Sequence, residues 1–359
     1  MLAFCAGLLA LSVWLFAFLQ LEPPPETGKT LIIPVSSLLA YALGPIALTQ
    51  PFWVAVGVTV AAVLIIGRRE QMHGFARLIP RDEVITAGKF LILTGIILPL
   101  VPDTRLFAIA PVTPFRVWLA VVAVSGLSYL TYLVQRYRPA KRNTVLPALL
   151  GGAYSSTATT VVLARRLKEI RVHRPDLSAG VIAATTIMYL RLAVIIGMFS
   201  PTLMLALLPG LGLLFAVGAA LSWWEWRKVD PGSAEDLAIS AANPLQLTTA
   251  LVFAALFLAV SLLTAWVQAG FGETGIFALA ALVGASDIDP FVLNLAQGGA
   301  PAMPASAVAA AVLIAASANN LAKAAYAIAF GGFAAAKRPA VLLVTLALLG
   351  FLGAAGYLQ

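Results

Sequence analysis

Apolar runs of about the length that crosses a membrane recur along the whole chain and leave only short polar stretches between them. A transmembrane helix needs about 20 predominantly apolar residues, and twelve segments meet this description. They lie at 2–20, 30–48, 51–67, 84–102, 115–135, 144–164, 178–198, 202–224, 246–268, 274–297, 304–330 and 338–357. Only 11% of the residues are charged, against about 25% in a soluble domain. The sequence therefore predicts an all-α polytopic membrane protein and excludes a soluble enzyme.

The positive charge of the chain, +8 in total, is concentrated in loops between apolar segments. The positive-inside rule places such loops in the cytoplasm, so we expect a multi-pass protein of the bacterial inner membrane. No polar stretch is long enough to form the basic face that nucleic acid requires. The sequence contains neither a P-loop nor a GxSxG motif, so we expect no enzyme and no cofactor, apart from a bound Mg²⁺ or other metal cation as substrate. The expected partners are the lipid bilayer, a small inorganic ion and a second copy of the chain.

Segment 144–164 reads TVLPALLGGAYSSTATTVVLA and has a glycine pair, Gly151 and Gly152, near its middle. A broken helix at membrane depth is tolerated only where it is buried in protein or lines a water-filled cavity. If this segment enters and returns, the basic loops 68–83, 136–143 and 165–174 all become cytoplasmic. A plain spanning helix with small residues at its packing face is the alternative. Five hydroxyls follow the glycines and are candidate ligands of an ion: Ser155, Ser156, Thr157, Thr159 and Thr160.

An internal repeat is indicated when the chain is compared with itself at one fixed offset, which aligns residues 150–164 with 282–296. At this repeat offset Arg191 aligns with Lys323. With 144–164 and 274–297 both re-entrant, three crossings separate them and the two units are inverted. This predicts about ten transmembrane helices plus two re-entrant or broken helices. The predicted domains are N-terminal membrane helices over 1–110, a first repeat unit over 111–240 and a second over 241–359.

Two carboxylates interrupt segment 274–297 in the sequence SDIDP, at Asp287 and Asp289. An ionisable residue inside a membrane segment is a functional candidate by default, and Pro290 leaves nearby carbonyls free. Carboxylate and carbonyl oxygens are ligands for Mg²⁺, Ca²⁺ or Na⁺, so the pair predicts a metal-cation site, and it could equally take up protons. In the alternative interpretation Asp287 caps a half-helix and pairs with Lys323.

Further polar candidates lie in the segments that follow each break. Asn319 and Asn320 could add amide ligands, and Asn319 shares a helix face with Lys323. Arg191 is the counterpart of Lys323 in the first unit, and partial snorkelling to a membrane surface is open to it. We expect Lys323 and Arg191 to tune the charge of the site.

These residues together predict a transporter or channel for a small inorganic ion, with a divalent cation such as Mg²⁺ as the leading candidate. Two alternatives stay open. One is a membrane regulator or scaffold of another transporter, bound through the glycine face Gly350–Gly356 of the last segment. The other is a carrier of an anion or small acid, which Arg191 and Lys323 would favour.

The stretches LLGGAYSSTATTVVLARR, LVGASDIDPFVLNLA and AASANNLAKA resemble, in this order, the C-terminal membrane domain of MgtC/SapB-type proteins, DUF4010. The resemblance covers roughly residues 30–335. It implies an association with growth in low magnesium and, for some members, regulation of transport rather than transport itself. The N-terminal segments lack the Gly-Leu-Glu-Arg-Glu-like run of an MgtC domain and would be its remnant.

Overall fold

A computed structural model describes residues 2–21, 32–49, 56, 59–60, 81–104, 112–137, 144–170, 172, 174–229 and 247–359. Regular structure in these ranges is helical, and no strand occurs in them. The predicted segment 51–67 lies almost wholly outside the described residues, as do most of the basic loops 68–83 and 136–143.

The helices of the described ranges follow the predicted apolar segments, except that one helix joins 246–268 to the start of 274–297 across a kink at Gly272 (φ 61°). They are α1 (Leu2–Leu21), α2 (Ile32–Thr49), α3 (Arg81–Leu91, continued by a π-helical stretch Ile92–Ile97 and by Leu98–Leu100), α4 (Pro114–Tyr137), α5 (Val145–Ile170), α6 (Pro175–Phe199), α7 (Pro201–Trp226), α8 (Leu247–Gly284), α9 (Asp289–Ala296), α10 (Ala305–Gly331) and α11 (Phe333–Gly356). Seven of them, α4 to α8, α10 and α11, are long and apolar enough to cross a membrane. The prediction of an all-α multi-pass membrane protein is confirmed at this level.

The chain divides into two compact units, Met1–Val84 and Ile85–Gln359. Within the first unit, α1 and α2 contact each other through the stacked rings of Phe4 and Tyr41, whose centroids are 5.1 Å apart. The Tyr41 hydroxyl donates a hydrogen bond of 3.1 Å to the Phe4 carbonyl. The second unit contains the helices that the following paragraphs describe.

Helices α6 and α10 are the most buried long helices of the second unit. The buried face of α10 is mostly alanine, and small residues let membrane helices approach closely when no hydrophobic effect drives them together. Outer helices such as α7 instead expose large apolar side chains, including Leu205 and Leu208. The apolar surface is therefore turned outward and the small and polar residues inward, as lipid requires.

Close helix contacts in the second unit occur at pairs of positions that are equivalent in the internal repeat. A Cβ atom at Gly152 would collide with the Ala184 backbone, and one at Gly284 would collide with the Ala315 backbone. These two glycines align with each other in the repeat. Gly218 and Gly350 also align, and they pack against side chains of the same two helices, at Thr186 and Ser317.

These contacts correct the expectation that the glycine face Gly350–Gly356 is free to bind a partner. Gly350 packs inside the chain, where a Cβ would collide with the Ser317 hydroxyl. It is therefore not available to a second copy of the chain or to another partner, because its open side is already filled. Gly356, in contrast, has open space around it.

Both ends of α5 lie beside the start of α6. Thr144, just before α5, donates a hydrogen bond of 3.2 Å to the Asp176 carboxylate in the first turn of α6, and the end of α5 at Ile170 precedes α6 by only a short connection. A Cβ at Gly180 would meet Ala148 at 3.2 Å and Leu163 at 3.1 Å. Because Ala148 and Leu163 stand on opposite sides of the middle of α5, its two halves run beside the same turn of α6.

The basic ends of several helices gather at one end of this bundle. Arg165 lies over the ring of Phe330, 5.3 Å from its centroid, and the α10 end at Gly331 packs on the Ala164 carbonyl. Arg338 of α11 bonds the buried Glu225 of α7 at 3.0 Å. The basic residues at the end of α5 and the start of α11 are therefore on the same side of the bundle.

Candidate functional site

Two helix breaks lie close to the predicted ones, one inside α5 and one between α8 and α9. The first is at Ser155 rather than at the glycine pair, since Gly151 and Gly152 are helical. Ser155 has an extended backbone (φ −155°, ψ 102°) within α5, and residues 285–288 are not helical. At each break a polar side chain accepts a hydrogen bond from the segment that follows. The Ser155 Oγ accepts from the Ala158 N–H at 3.3 Å, and the Asp287 Oδ1 accepts from the Asp289 N–H at 3.2 Å. Ser155 and Asp287 align with each other at the repeat offset, so the two breaks are built alike.

Both breaks open into one cavity of about 480 Å³. This is room for on the order of ten water molecules, and therefore for a small ion with part of its hydration shell. Helices α4 and α8 close the sides. The lining combines three charged side chains with hydroxyls and a few apolar residues: Val124, Ser125, Ser128, Tyr154, Ser155, Thr157, Ala158, Arg191, Thr249, Phe253, Ser286, Asp287 and Asp289.

A charge pair joins the two halves of the second unit at this cavity. The Arg191 guanidinium on α6 lies 2.5 Å from the Asp289 carboxylate at the start of α9. The same guanidinium donates a hydrogen bond of 3.0 Å to the Tyr154 carbonyl, directly before the first break. Both side chains are 11% exposed. Arg191 therefore lies inside the bundle, and snorkelling to a surface does not occur.

Asp287 has a different environment from Asp289. Among the described residues no cation lies within ion-pair distance of its carboxylate, and the pairing with Lys323 considered from the sequence is not formed. The side chain lines the cavity. The carboxylate that faces the cavity without a basic partner is thus Asp287, while Asp289 is compensated by Arg191.

The predicted hydroxyls separate into two groups. Ser155 and Thr157 line the cavity. Ser156, Thr159 and Thr160 are buried against neighbouring helices, and the Thr160 hydroxyl donates to the Ser156 carbonyl at 2.8 Å. Successive residues of a helix point about 100° apart, so one run of five hydroxyls cannot face one ion.

The two asparagines hold the helices around the second break and do not line the cavity. The Asn319 Nδ2 donates to the Gly284 carbonyl at 2.8 Å, and the Asn320 Nδ2 donates to the Tyr189 hydroxyl at 2.7 Å. Lys323, one turn further along α10, is fully buried. Its Nζ lies 3.1 Å from the Met188 sulfur.

Several lining residues were not among the predicted ones. Ser125 and Ser128 come from α4, Thr249 from the start of α8 and Ser286 from the second break itself. Two serines three residues apart lie on one face of a helix, so their spacing in an apolar segment was a usable signal. Thr249 carries no comparable signal in the sequence.

The lining of the cavity contains unequal numbers of positive and negative side chains. Its charged side chains are one guanidinium and two carboxylates, which leaves one net negative charge beside hydroxyl ligands. The described part of the chain contains no group of three or more His, Cys, Asp or Glu residues that could hold a metal ion.

The fold and the site together define a multi-pass α-helical membrane protein with a polar cavity between two broken helices. The sequence pattern of the DUF4010 family, a domain of unknown function, matches residues 122–331, which is more than half of the chain. The protein belongs to this family. The matched region contains both breaks, Arg191 and Lys323.

One relative is an uncharacterized protein from Aquifex aeolicus (strain VF5). It is 29% identical over 192 residues, which is 52% of this chain and 82% of the relative. No solved structure matches the chain.

Proposed function

We propose that the protein is a transporter or channel of the bacterial inner membrane for a small inorganic cation, with the two-break cavity as its binding site. The observation that carries this proposal is the Asp287 carboxylate, which faces a polar cavity at the junction of two broken helices. An ionisable group in a membrane segment is expensive and marks an ion or substrate pathway. Broken helices that meet at a polar site are a recurring design of secondary transporters.

An inverted repeat within the second unit is part of the proposal. The first arm runs from α4 to α7 and the second from α8 to α11. Helix α4 and the first part of α8, which correspond in the repeat, run antiparallel. Val117 lies across a groove from Leu258, whereas Ser128 lies across the cavity from Thr249. With both ends of α5 on one side, α5 becomes a re-entrant hairpin, and the end of α8 with α9 becomes its inverted counterpart.

A cation fits the cavity better than an anion does. Arg191 donates to Asp289 and to the Tyr154 carbonyl, so its Nη1 and Nη2 atoms already have internal partners, while its buried Nε has none. Asp287 is not neutralised in this way, and hydroxyl-bearing side chains line the same cavity. The divalent cation expected from the acidic pair, Mg²⁺, and the magnesium association implied by MgtC/SapB-type proteins give Mg²⁺ a place in the first panel of ions to test.

The test is ion flux into liposomes that contain the purified protein, with Mg²⁺, Ca²⁺, Na⁺, K⁺, H⁺ and small oxyanions supplied one at a time. Asp287→Asn removes the charge and keeps an oxygen that can accept the Asp289 N–H. Glu273→Gln is the matched control, because Glu273 is exposed and lies on α8, the helix that leads into the second break. We expect cation flux in the parent and in Glu273→Gln, and its loss in Asp287→Asn.

Two results would contradict the proposal. A folded protein that moves no ion would favour the regulator or scaffold, which binds another transporter. Oxyanion flux that Arg191→Gln abolishes and Asp287→Asn leaves intact would favour the carrier of an anion or small acid.

A further inference from the structure

Lys323 is a buried cation next to the cavity that the binding site itself does not use. Its side chain is among the largest in the described part of the chain to be fully buried. The only hydrogen-bond partner of its Nζ in that part is the Met188 sulfur, at 3.1 Å. A buried ammonium without a carboxylate is costly, so packing alone does not account for a lysine here.

The position of Lys323 brings its charge to bear on the site. Asn319, one turn earlier on α10, bonds the Gly284 carbonyl at the edge of the second break, and the Met188 sulfur that Lys323 contacts lies on α6 one turn before Arg191. The ammonium therefore lies behind the wall of the cavity, close enough to act on an ion in it and too deep to coordinate one.

The repeat explains why Lys323 has no carboxylate of its own. Arg191 and Lys323 occupy equivalent positions at the repeat offset, and Arg191 reaches across to Asp289 of the other arm. The position equivalent to Asp289 in the first arm is residue 157, which is a threonine. The repeat thus contains two equivalent basic residues, Arg191 and Lys323, but an acidic partner in the opposite arm for Arg191 alone.

Lys323 changes the charge that a bound ion experiences. In its protonated form Lys323, together with Arg191, balances the two negative charges of Asp287 and Asp289, so the fixed charges of the site and its wall cancel. The Coulomb energy between Lys323 and a bound ion is proportional to the charge of that ion. The ammonium therefore opposes a divalent cation twice as strongly as a monovalent one at the same position.

We propose that Lys323 is a specificity-determining residue: its charge offsets the stronger attraction of the carboxylates for a divalent cation, so the cavity favours singly charged cations, which lose their water more easily than Mg²⁺ does. This inference rests on the proposed cation transport. It corrects the preference for a divalent cation that follows when only the two carboxylates are counted.

The test compares Lys323→Met with the parent in liposomes, by the half-saturating concentrations of Na⁺ and K⁺ and of Mg²⁺ and Ca²⁺. Methionine has similar length and suits the contact with Met188. Lys168→Met is the control, because Lys168 is an exposed lysine at the end of α5. We expect the parent and the control to prefer the monovalent ions. In Lys323→Met we expect the apparent affinity to rise for both classes of ion. The fold-increase for divalent ions should be about the square of the fold-increase for monovalent ions.

A second variant keeps the proposal testable if Lys323→Met does not fold. Thr157→Asp, compared with Thr157→Asn, adds a negative charge to the cavity lining while Lys323 stays in place. It should also strengthen divalent binding by about the square of the monovalent factor. Equal factors for the two ion classes, or a parent that prefers Mg²⁺ over Na⁺ and K⁺, would overturn the role of Lys323 and leave cation transport intact. A parent that moves no cation would overturn both.

Discussion

The pair of Arg191 and Asp289 makes a quantitative prediction about stability. Asp289→Asn removes the negative charge and leaves a guanidinium that is 11% exposed with only neutral acceptors, the Tyr154 carbonyl and the new amide oxygen. Removing one partner of a buried pair costs about 3–5 kcal/mol. Because the pair lines a cavity that can hold water, we expect the lower end, about 3 kcal/mol. Arg191→Gln should cost a similar amount by leaving the Asp289 carboxylate uncompensated.

The double variant, Arg191→Gln with Asp289→Asn, measures the energy of the ion pair apart from what each residue contributes by itself. Once either partner is gone, removing the other deletes an uncompensated buried charge, so the double variant should be about as stable as either single variant. The coupling energy is then about 2–3 kcal/mol. The assay is equilibrium unfolding in detergent micelles, followed by tryptophan fluorescence for all four proteins of the cycle. If the stability lost in the double variant equals the sum of the two single losses to within about 0.5 kcal/mol, the two residues do not form an ion pair. The described contact between α6 and α9 would then be wrong.

Two further predictions concern helix contacts. Gly152→Leu and Gly284→Leu should each destabilise the fold by about 3 kcal/mol, because their Cβ atoms would collide with the backbone of the neighbouring helix. Gly356→Leu, at a position with open space, should have no effect on thermal unfolding, and equal effects of the three changes would refute this packing. Tyr189→Phe should cost about 1–2 kcal/mol by removing the acceptor of the Asn320 amide, and an unchanged unfolding midpoint would show that this bond contributes nothing.

The features that the sequence could predict are those encoded locally. The apolar runs predicted the long helices, because crossing a membrane demands about 20 apolar residues in a row. The pair Gly151 and Gly152 predicted a break close to Ser155, and SDIDP predicted the break at 285–288. The repeat offset, read from the sequence alone, predicted that Gly152 and Gly284 occupy equivalent positions.

The features that the sequence could not predict depend on which helix faces which. Arg191 could in principle pair with either aspartate, and only the crossing of α6 and α9 directs it to Asp289. The same holds for the hydroxyls, since the rotation of α5 decides that Thr157 faces the cavity and Thr160 bonds its own helix. Hydropathy identifies segments of the membrane and does not orient them about their axes.

The central claim is that the two breaks share one ion-binding cavity, and cysteine labelling tests it directly. The single cysteine of the chain, Cys5, is replaced by serine, and a new cysteine is placed at Ser155 or at Ser286, one from each break. A membrane-impermeant thiol reagent is then applied with increasing Na⁺, K⁺, Mg²⁺ or Ca²⁺. We predict that both cysteines react and that the same cation slows both reactions with the same half-maximal concentration. Protection of only one cysteine, or different half-maximal concentrations for the two, would show that the breaks do not enclose a common site.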